Sequence, residues 1–335
     1  MEHIETAVSL NLLGNAYAAQ GKLLEAEACF SLSADIRKKL LGDEHQNTVR
    51  SIISLADMYH QEGKYDLAEA RYSQILDARA MIIGAQNIQS ADIMNRLGTL
   101  CFDQRKFEKA ESYHSKALEA RRKMFGNLHP ETAETMTNLA KDYLYRKKYQ
   151  QAETLFNEAI GVCETIFGIQ NQVTANNIHN LGSVYMDLGN LKQAEQNYNK
   201  ALEIRKICLG INNSVTLGSF NSIAILNFRM GHPELAEAAL QQSLDIARTI
   251  FGNDHTNTAR IMYNLATVRI KLGKFADAEP LYLEALVKYE TLYGLNHPDT
   301  KDTLKYIIQT YQGLKQPDKV NEYRNLLDVA ENKRR

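Results

Sequence analysis

The sequence predicts an all-α protein, a solenoid of about eight helical hairpins. Three observations lead to this fold class. Glycine recurs every 42 residues without insertion or deletion, at Gly42, Gly84, Gly126, Gly168, Gly210, Gly252 and Gly294. An Ala-Glu pair keeps the same spacing, beginning at Ala26, Ala68, Ala110, Ala152, Ala194, Ala236 and Ala278. No Pro-, Gly- or Ser-rich linker interrupts the period. A unit of this length cannot bury its apolar face alone, so neighbouring units must stack into one core.

Each unit reads as two helices joined by a tight turn. In residues 129–168, apolar side chains recur at spacings of three and four on both sides of a short break at Lys147-Lys148, which is typical of two amphipathic helices. In other units the break carries a glycine, which supplies the left-handed backbone that a helix end commonly needs. These turn glycines are Gly21, Gly63, Gly189, Gly231 and Gly273.

We predict a single array over residues 1–335. Its repeats cover about 4–44, 45–86, 87–128, 129–170, 171–212, 213–254 and 255–296, followed by a degenerate capping repeat at 297–332. The last repeat is degenerate because Pro317 stands near its turn and Val320 replaces the usual alanine. Its final helix is more polar than the earlier ones, as expected of a terminal repeat exposed to water.

A second motif precedes each first helix and reads Gly-x-x-His/Asn-x-x-Thr/Ser. Its His or Asn positions are His45, Asn87, His129, Asn171, Asn213, His255 and His297. One such residue per repeat could form a ladder of metal ligands, but asparagine replaces histidine in three repeats. Asparagine is a preferred N-cap residue, and Pro130 and Pro298 suit the first helical turn. We therefore predict helix capping, with no metal site.

Composition excludes several function classes. The net charge is −1 with 24% charged residues, which gives no electrostatic reason to bind nucleic acid or an anionic membrane. Neither a secretory signal nor an apolar stretch long enough to cross a bilayer is evident, so we expect a cytoplasmic location. Four cysteines at different phases of the repeat predict buried, reduced thiols.

The sequence also predicts that the protein is not an enzyme and needs no cofactor. It has no P-loop, no G-x-G-x-x-G after a strand and no H-E-x-x-H. The repeated glutamates, from Glu27 onward, lie early on second helices, where a negative charge favours the helix dipole. Their strict periodicity indicates a structural role.

The repeat resembles that of tetratricopeptide proteins. In one unit the signature is carried by Leu139, Ala140, Tyr143, Tyr149, Ala152, Phe156 and Ala159. The 42-residue period, the His-Pro-x-Thr motif and the Asn-Leu-Ala segments at residues 138–140 and 264–266 are similar to the extended repeats of kinesin light chains and nephrocystin-type proteins. The resemblance implies a right-handed superhelix whose first helices line a concave groove.

Side chains offset from the apolar stripe of the first helices are the predicted peptide-binding residues. They are Asn138, Lys141, Tyr145, His179, Asn180, Asn221, Phe228, Arg229, Arg260, Tyr263, Asn264, Lys271 and Lys305. Carboxamides offer a donor and an acceptor to an extended backbone. Acidic side chains lie in the earlier part of the groove (Asp57, Asp92, Asp103, Glu134 and Asp187), whereas the cations lie later. An acidic segment should therefore prefer repeats six to eight, with Phe228 and Tyr263 as apolar anchors.

Three functions stay open. The first is a scaffold or adaptor that binds a peptide segment of a partner protein in its groove. The second is a kinesin light chain-like, cargo-binding subunit of a microtubule motor. No heptad segment precedes the repeats, so we expect no direct binding to a kinesin heavy chain. The third is a regulatory protein that senses a short peptide.

Overall fold

The computed structural model of the protein describes residues 3–80 and 88–332. Within these ranges the chain forms sixteen α-helices and no strand. The first helices of the repeats are α1 (Ile4–Ala19), α3 (Gln46–Gln61), α5 (Ile88–Asp103), α7 (Pro130–Tyr145), α9 (Gln172–Asp187), α11 (Ser214–Arg229), α13 (Thr256–Lys271) and α15 (Pro298–Gly313). The second helices are α2 (Leu23–Leu41), α4 (Tyr65–Ala80), α6 (Phe107–Phe125), α8 (Tyr149–Phe167), α10 (Leu191–Leu209), α12 (Pro233–Phe251), α14 (Phe275–Tyr293) and α16 (Pro317–Asn332). The predicted all-α fold of helical hairpins is confirmed.

The helix lengths account for the sequence period. In a complete repeat the first helix has 16 residues and the second has 19, as α7 and α8 show. Three residues form the turn within the hairpin, and four connect it to the next repeat. The glycine that recurs every 42 residues begins that connection. Gly126 caps α6 with φ 76°, a left-handed value that side chains with a Cβ rarely adopt.

The threonine of the capping motif holds the same connection in place. Thr132 Oγ1 donates to the carbonyl oxygen of Gly126 at 3.0 Å, and the Thr132 side chain is fully buried. The same bond joins Thr174 to Gly168, Thr216 to Gly210, Thr258 to Gly252 and Thr300 to Gly294. The period is thus fixed by a repeated hydrogen bond as well as by repeated packing.

The capping prediction is confirmed at six repeats. The His129 ring nitrogen Nδ1 accepts from the backbone N–H of Glu131 at 3.3 Å, and Asn171 accepts from Val173 at 2.8 Å. His45, Asn213, His255 and His297 make the equivalent bond. Asn87 lies outside the described residues. At His129 the imidazole also stacks on Phe125, with 4.1 Å between the ring centroids.

Both halves of the Ala-Glu pair connect neighbouring elements. The seven alanines are fully buried at the helix contacts. The glutamates point toward the next repeat: Glu111 lies 2.5 Å from Arg146 and 2.8 Å from Lys148, and Glu237 lies 2.6 Å from Lys274. The structural role predicted for these glutamates therefore includes ion pairs between repeats, in addition to the helix dipole.

The chain divides into two compact units, residues 1–166 and 167–335. Each has its own apolar core: Phe30, Tyr72 and Leu97 belong to the first, and Leu265 and Tyr282 to the second. The single array over residues 1–335 stays a prediction.

The prediction for the cysteines is partly wrong. Cys29, Cys101 and Cys163 are buried thiols, but Cys208 is exposed. Cys208 lies in the last turn of α10, next to the connection, where no later helix covers it.

Candidate protein-binding surface

Within each unit, side chains connect the first helices of successive repeats. In residues 1–166, Asn138 Nδ2 donates to Asn95 Oδ1 at 3.2 Å. In residues 167–335, Asn264 Nδ2 donates to Asn221 Oδ1 at 2.7 Å. Both pairs are 43 residues apart, one period plus one residue. We call the side of each unit that carries these contacts its first-helix surface. Three of the predicted carboxamides, Asn138, Asn221 and Asn264, thus form hydrogen bonds within the chain. Only the donors and acceptors that these bonds leave free can bind a peptide.

The acidic side chains of this surface in residues 1–166 are paired. Asp57 accepts two hydrogen bonds of 2.7 Å from Arg96, which also lies 3.2 Å from Asp92. Asp103 lies 2.7 Å from the His60 ring. The acidic stretch that the sequence shows is therefore paired with side chains that the groove prediction did not count.

Lys141 and Tyr145 lie on α7 in the same unit. Burial lowers the pKa of Lys141, and the neighbouring Asp142 opposes this change. Tyr145 is 58% exposed, and its ring centroid lies 4.9 Å from that of Phe102 and 5.3 Å from that of Phe107. Tyr145 is thus accessible, but its ring already packs against two aromatic neighbours.

A concave feature of the second unit lies between α11, α12, α13 and α15. It is an open pocket with a volume of about 120 Å³. Its lining residues are Ala224, Ile225, Phe228, Leu240, Tyr263, Asn264, Thr267, Val268 and Tyr306. The structure therefore brings together three of the predicted residues, Phe228, Tyr263 and Asn264. Tyr306 was missed, although it stands one period after Asn264, because the carboxamide pattern ends there.

Aromatic rings form one wall of this pocket. The centroid of Tyr263 lies 5.5 Å from that of Tyr306 and 5.6 Å from that of Tyr282, both in edge-to-face geometry. Burial raises the pKa of Tyr263, and Tyr282 donates or accepts a 2.8 Å hydrogen bond with Thr267. Burial also raises the pKa of Tyr282, so the phenols of Tyr263 and Tyr282 are neutral at physiological pH, and the pocket presents an apolar cavity with hydroxyl groups near its wall.

Four predicted cations lie on α11, α13 and α15, and three of them have no ion pair among the described residues. Arg229 donates to the Met186 carbonyl at 3.4 Å, and Arg260 donates to the Asn257 side chain at 3.4 Å. Lys271 is exposed at the end of α13.

Lys305 differs, because it lies 2.9 Å from Asp302 on its own helix, and this contact raises its pKa. The predicted cationic cluster is thus reduced from four residues to three. Arg260 and Lys271 stand at opposite ends of α13, on the order of 16 Å apart at 1.5 Å per residue. The three cations are therefore spread along α11 and α13, the helices that carry Phe228 and Tyr263, and do not converge on one point.

His179 and Asn180 lie on α9 and are half-buried. His179 Nε2 is 3.4 Å from the Ser222 hydroxyl, and its Nδ1 is buried without a hydrogen-bond partner. Burial, followed by the positive charge of Arg205, lowers the pKa of His179 to about 3. The imidazole is therefore neutral at physiological pH and adds no charge to this surface.

In residues 3–80 and 88–332, no three His, Cys, Asp or Glu side chains come together in a way that could hold a metal ion. No helix in these ranges combines the length and apolar character needed to cross a bilayer.

The paired helices, the repeated caps and the contacts between first helices define the protein as a helical-repeat solenoid. Matches to a model of the tetratricopeptide repeat cover residues 5–80, 89–165, 171–249, 216–286 and 257–323. The chain belongs to the tetratricopeptide repeat family, as predicted from its signature residues. No curated protein matches the sequence.

Several solved structures share this fold. BtubC (BKLC) from P. vanneervenii is 23% identical, with a TM-score of 0.61 over 69% of this chain and 92% of that one. A P. anserina protein described as a kinesin light chain with nearly identical TPR-like repeats is 17% identical, with a TM-score of 0.55 over 62% and 98%. The apo form of the quorum sensor NprR from B. thuringiensis is 13% identical, with a TM-score of 0.61 over 98% and 99%. At these identities the likeness shows the fold alone.

Proposed function

We propose that this protein is a non-enzymatic adaptor of the cytoplasm that binds an extended, acidic segment of a partner protein. The binding surface is the first-helix surface of residues 167–335. The observation that carries the proposal is the pocket of Phe228 and Tyr263 together with three cations on the same helices that have no carboxylate partner in the described chain. An apolar side chain with acidic neighbours complements both features.

The pocket should supply most of the affinity. Its volume of about 120 Å³ suits one aliphatic side chain, since cavities of about 150 Å³ in proteins accept benzene. Burying such a side chain contributes about 2 kcal/mol. The exposed cations each contribute less than about 1 kcal/mol, and they mainly raise the association rate and fix the direction of the segment.

A labelled peptide with a defined sequence tests this proposal. The probe carries fluorescein and one leucine flanked on each side by two aspartates, and its affinity is measured by fluorescence anisotropy. One control peptide has alanine for leucine, and a second has asparagine for aspartate. We expect the first probe to bind at least tenfold more tightly than either control. Equal affinity for all three would contradict the proposal.

The protein side is tested by reversing the three cations. The Arg229→Glu/Arg260→Glu/Lys271→Glu variant should keep its helical content and lose at least tenfold in affinity for the acidic probe. The matched control reverses Lys192, Lys315 and Arg324, which are exposed and lie outside the first helices. If both triple variants lose affinity equally, the effect is one of net charge and the site is wrong.

A second candidate function is the sensing of a short peptide. The likeness to the quorum sensor NprR extends over 98% of this chain and 99% of that one, so it supports a peptide-responsive regulator of similar length. Small-angle scattering with and without the acidic probe separates the two functions. A sensor should change its radius of gyration on binding, whereas an adaptor should not.

A third candidate is a kinesin light chain-like, cargo-binding subunit, which the fold of BtubC (BKLC) and the P. anserina protein supports. Affinity purification from cytosol with the wild type and the cation-reversed variant distinguishes it. Motor subunits that bind the wild type and are lost with the variant would favour this function over a general adaptor.

A further inference from the structure

Buried arginines occupy the same position in three repeats that are two periods apart: Arg37 on α2, Arg121 on α6 and Arg205 on α10. Arg121 on α6 is 2% exposed, and Arg205 on α10 is 5% exposed. Each reaches the first helix of the following repeat: Arg121 Nη1 donates to Thr135 Oγ1 at 2.6 Å, and Arg205 Nη1 donates to Ser219 Oγ at 2.5 Å. The backbone setting and the first hydrogen bond are therefore the same at both sites. Arg37 also donates to a hydroxyl of the following first helix and has no carboxylate partner among the described residues, but Arg50 stands where Arg205 has Gly218.

Arg121 is surrounded by carboxylates of its own chain. Its guanidinium lies 3.4 Å from Asp92, 3.7 Å from Glu131 and 3.5 Å from Glu134. Asp92 lies on the preceding first helix, and the two glutamates lie on the following one. This arrangement compensates the buried charge from both sides.

None of these carboxylates has a counterpart around Arg205. Two periods after Asp92, Glu131 and Glu134, the chain carries Asn176, Val215 and Gly218. Arg205 Nη2 donates to the Asn176 side-chain oxygen at 2.8 Å, which replaces the ion pair with a neutral hydrogen bond. No carboxylate lies within ion-pair distance of Arg205 in the part of the chain that the structure describes. A buried cation without a counter-ion is costly, so the site strongly favours an external anion.

The Arg205 guanidinium stays charged and its field reaches the first-helix surface. Burial lowers the pKa of Arg205 to about 10, which leaves the group protonated at neutral pH. The same charge contributes to the lowered pKa of His179, a residue of α9. Arg205 Nε is buried without a hydrogen-bond partner, as is Arg121 Nε, so the guanidinium retains donor capacity.

Gly218 leaves open the space through which an anion could approach. In repeat four, Glu134 fills this position and places its carboxylate at Arg121. Gly218 is exposed, and a Cβ built there would meet no atom within 4 Å. Its φ does not lie in the left-handed range, so the helix does not require glycine at this position. The position that carries a glutamate side chain in repeat four is therefore exposed and open at its Cβ in repeat six.

We propose that Arg205, with Asn176 and Ser219, is a carboxylate-binding site of the first-helix surface, and that a bound segment places an aspartate, glutamate or C-terminal carboxylate where Glu134 lies in repeat four. The inference that a peptide uses this site rests on the proposed function, whereas the inference that the site binds a carboxylate does not. Gly218 precedes the pocket residues Ile225 and Phe228 on α11, so the two sites are on the order of 10–15 Å apart along the helix. An extended peptide at about 3.3 Å per residue spans this distance with three to five residues.

The test leaves Arg205 in place, because its removal could disturb folding. Gly218→Glu installs the missing carboxylate and should occupy the site from within. Gly218→Gln is the matched control, because it has the same length and a similar helix propensity but no charge. The first probe is succinate, and the readout is the Nε–Hε resonance of Arg205 in a spectrum of the arginine side chains.

Succinate at millimolar concentration should shift the Arg205 resonance in the wild type and in Gly218→Gln, but not in Gly218→Glu. Conversely, the double substitution Asp92→Asn/Glu134→Gly gives Arg121 the neighbours that Arg205 has at Asn176 and Gly218. It should make the Arg121 resonance respond to succinate. No shift of Arg205 in the wild type, or equal shifts in Gly218→Glu and Gly218→Gln, overturns the anion site.

The second probe extends the labelled acidic peptide so that an aspartate also stands four residues from the leucine on each side, which spans the distance between the pocket and Arg205. The extended peptide separates this inference from the proposed function. Gly218→Glu should bind it about tenfold more weakly than Gly218→Gln does. If the peptide loses affinity for the cation-reversed variant but binds both Gly218 variants equally, the peptide does not use Arg205 and this inference fails alone. If succinate shifts Arg205 but no acidic peptide binds, the anion site stands and the proposed function fails.

Discussion

Arg121 in the first unit and Arg205 in the second occupy the same repeat position and differ in their counter-ions. Arg121 lies among three carboxylates. Arg205 has no carboxylate partner among the described residues, and neither has Arg37, which occupies this position earlier in the first unit. The repeat keeps the arginine–hydroxyl bond at all three sites, while the charged neighbours change. The packing thus specifies the fold, and the counter-ions distinguish the Arg121 site from the Arg205 site, which is suited to an acidic partner.

The largest effect that tests this comparison is the removal of each buried arginine. Arg121→Met should lower the free energy of unfolding by about 2 kcal/mol, because it removes the buried cation next to three partly exposed carboxylates, of which Asp92 keeps Arg96 as a partner. Arg205→Met should change it by less than about 1 kcal/mol, since an uncompensated charge is replaced by an apolar side chain of similar length. Both lose one bond to a hydroxyl, so that loss cancels in the comparison. Urea denaturation measures the two values.

The control is to locate the helices that each substitution destabilises. Hydrogen exchange read by mass spectrometry should show loss of protection near α5 to α7 in Arg121→Met and little change near α9 to α11 in Arg205→Met. Equal destabilisation by the two substitutions would mean that the carboxylates around Arg121 contribute nothing, and the contrast between the two arginine sites would be lost.

The next effect is a pH dependence that belongs to the second unit. The pKa of His179 is lowered to about 3 in the folded chain, against about 6.5 when unfolded. Between these values the unfolded chain binds the proton and the folded chain does not, so stability falls as the pH drops below about 6.5. The slope is at most about 1.4 kcal/mol per pH unit, which gives about 2 kcal/mol between pH 6.5 and 5.

His179→Gln should remove this part of the acid sensitivity. Urea denaturation of both proteins at pH 7, 6 and 5 measures it, and the difference between the curves should shrink as the pH falls. His232→Gln is the control, since His232 is exposed. Parallel curves for the wild type and His179→Gln would show that His179 protonates in the folded chain without cost.

Periodicity made the fold predictable, because every repeat carries the same pattern of apolar, turn and capping positions. The hairpins, the six described caps and the pocket residues Phe228, Tyr263 and Asn264 all follow from positions within one repeat. The contacts 43 residues apart, such as Asn95 with Asn138, do not follow, because their offset depends on how one repeat rotates against the next. The same reason hides the pairing of Asp57 with Arg96, so the acidic stretch looked more charged than it is.

Arg205 shows a second limit of sequence patterns. An arginine in the last turns of a helix is ordinarily assigned to the favourable interaction with the helix dipole. Only the structure shows that Arg121 and Arg205 turn inward to a hydroxyl of the next repeat. Once that geometry is known, the difference at Asn176, Val215 and Gly218 can be read from the sequence alone.

The smallest effect concerns the turn within each hairpin. Lys147 in the first unit and Gly189 in the second occupy the same turn position with φ 59° and 77°. The turn bonds also agree: Lys148 N–H donates to Tyr143 at 2.8 Å, and Asn190 N–H donates to Tyr185 at 2.9 Å. A residue with a Cβ pays about 1 kcal/mol in this left-handed conformation.

Lys147→Gly should therefore raise the free energy of unfolding by about 0.5 kcal/mol, since relief of the strain exceeds the added freedom of glycine in the unfolded chain. Gly189→Ala should lower it by about 1 kcal/mol for the converse reason. Urea denaturation measures both, with Lys147→Ala as the control, because it removes the charge and keeps the Cβ. If Lys147→Gly and Lys147→Ala are equally stable, the lysine charge explains the effect. A gain in glycine alone shows that the turn at Lys147 retains backbone strain that the turn at Gly189 does not have.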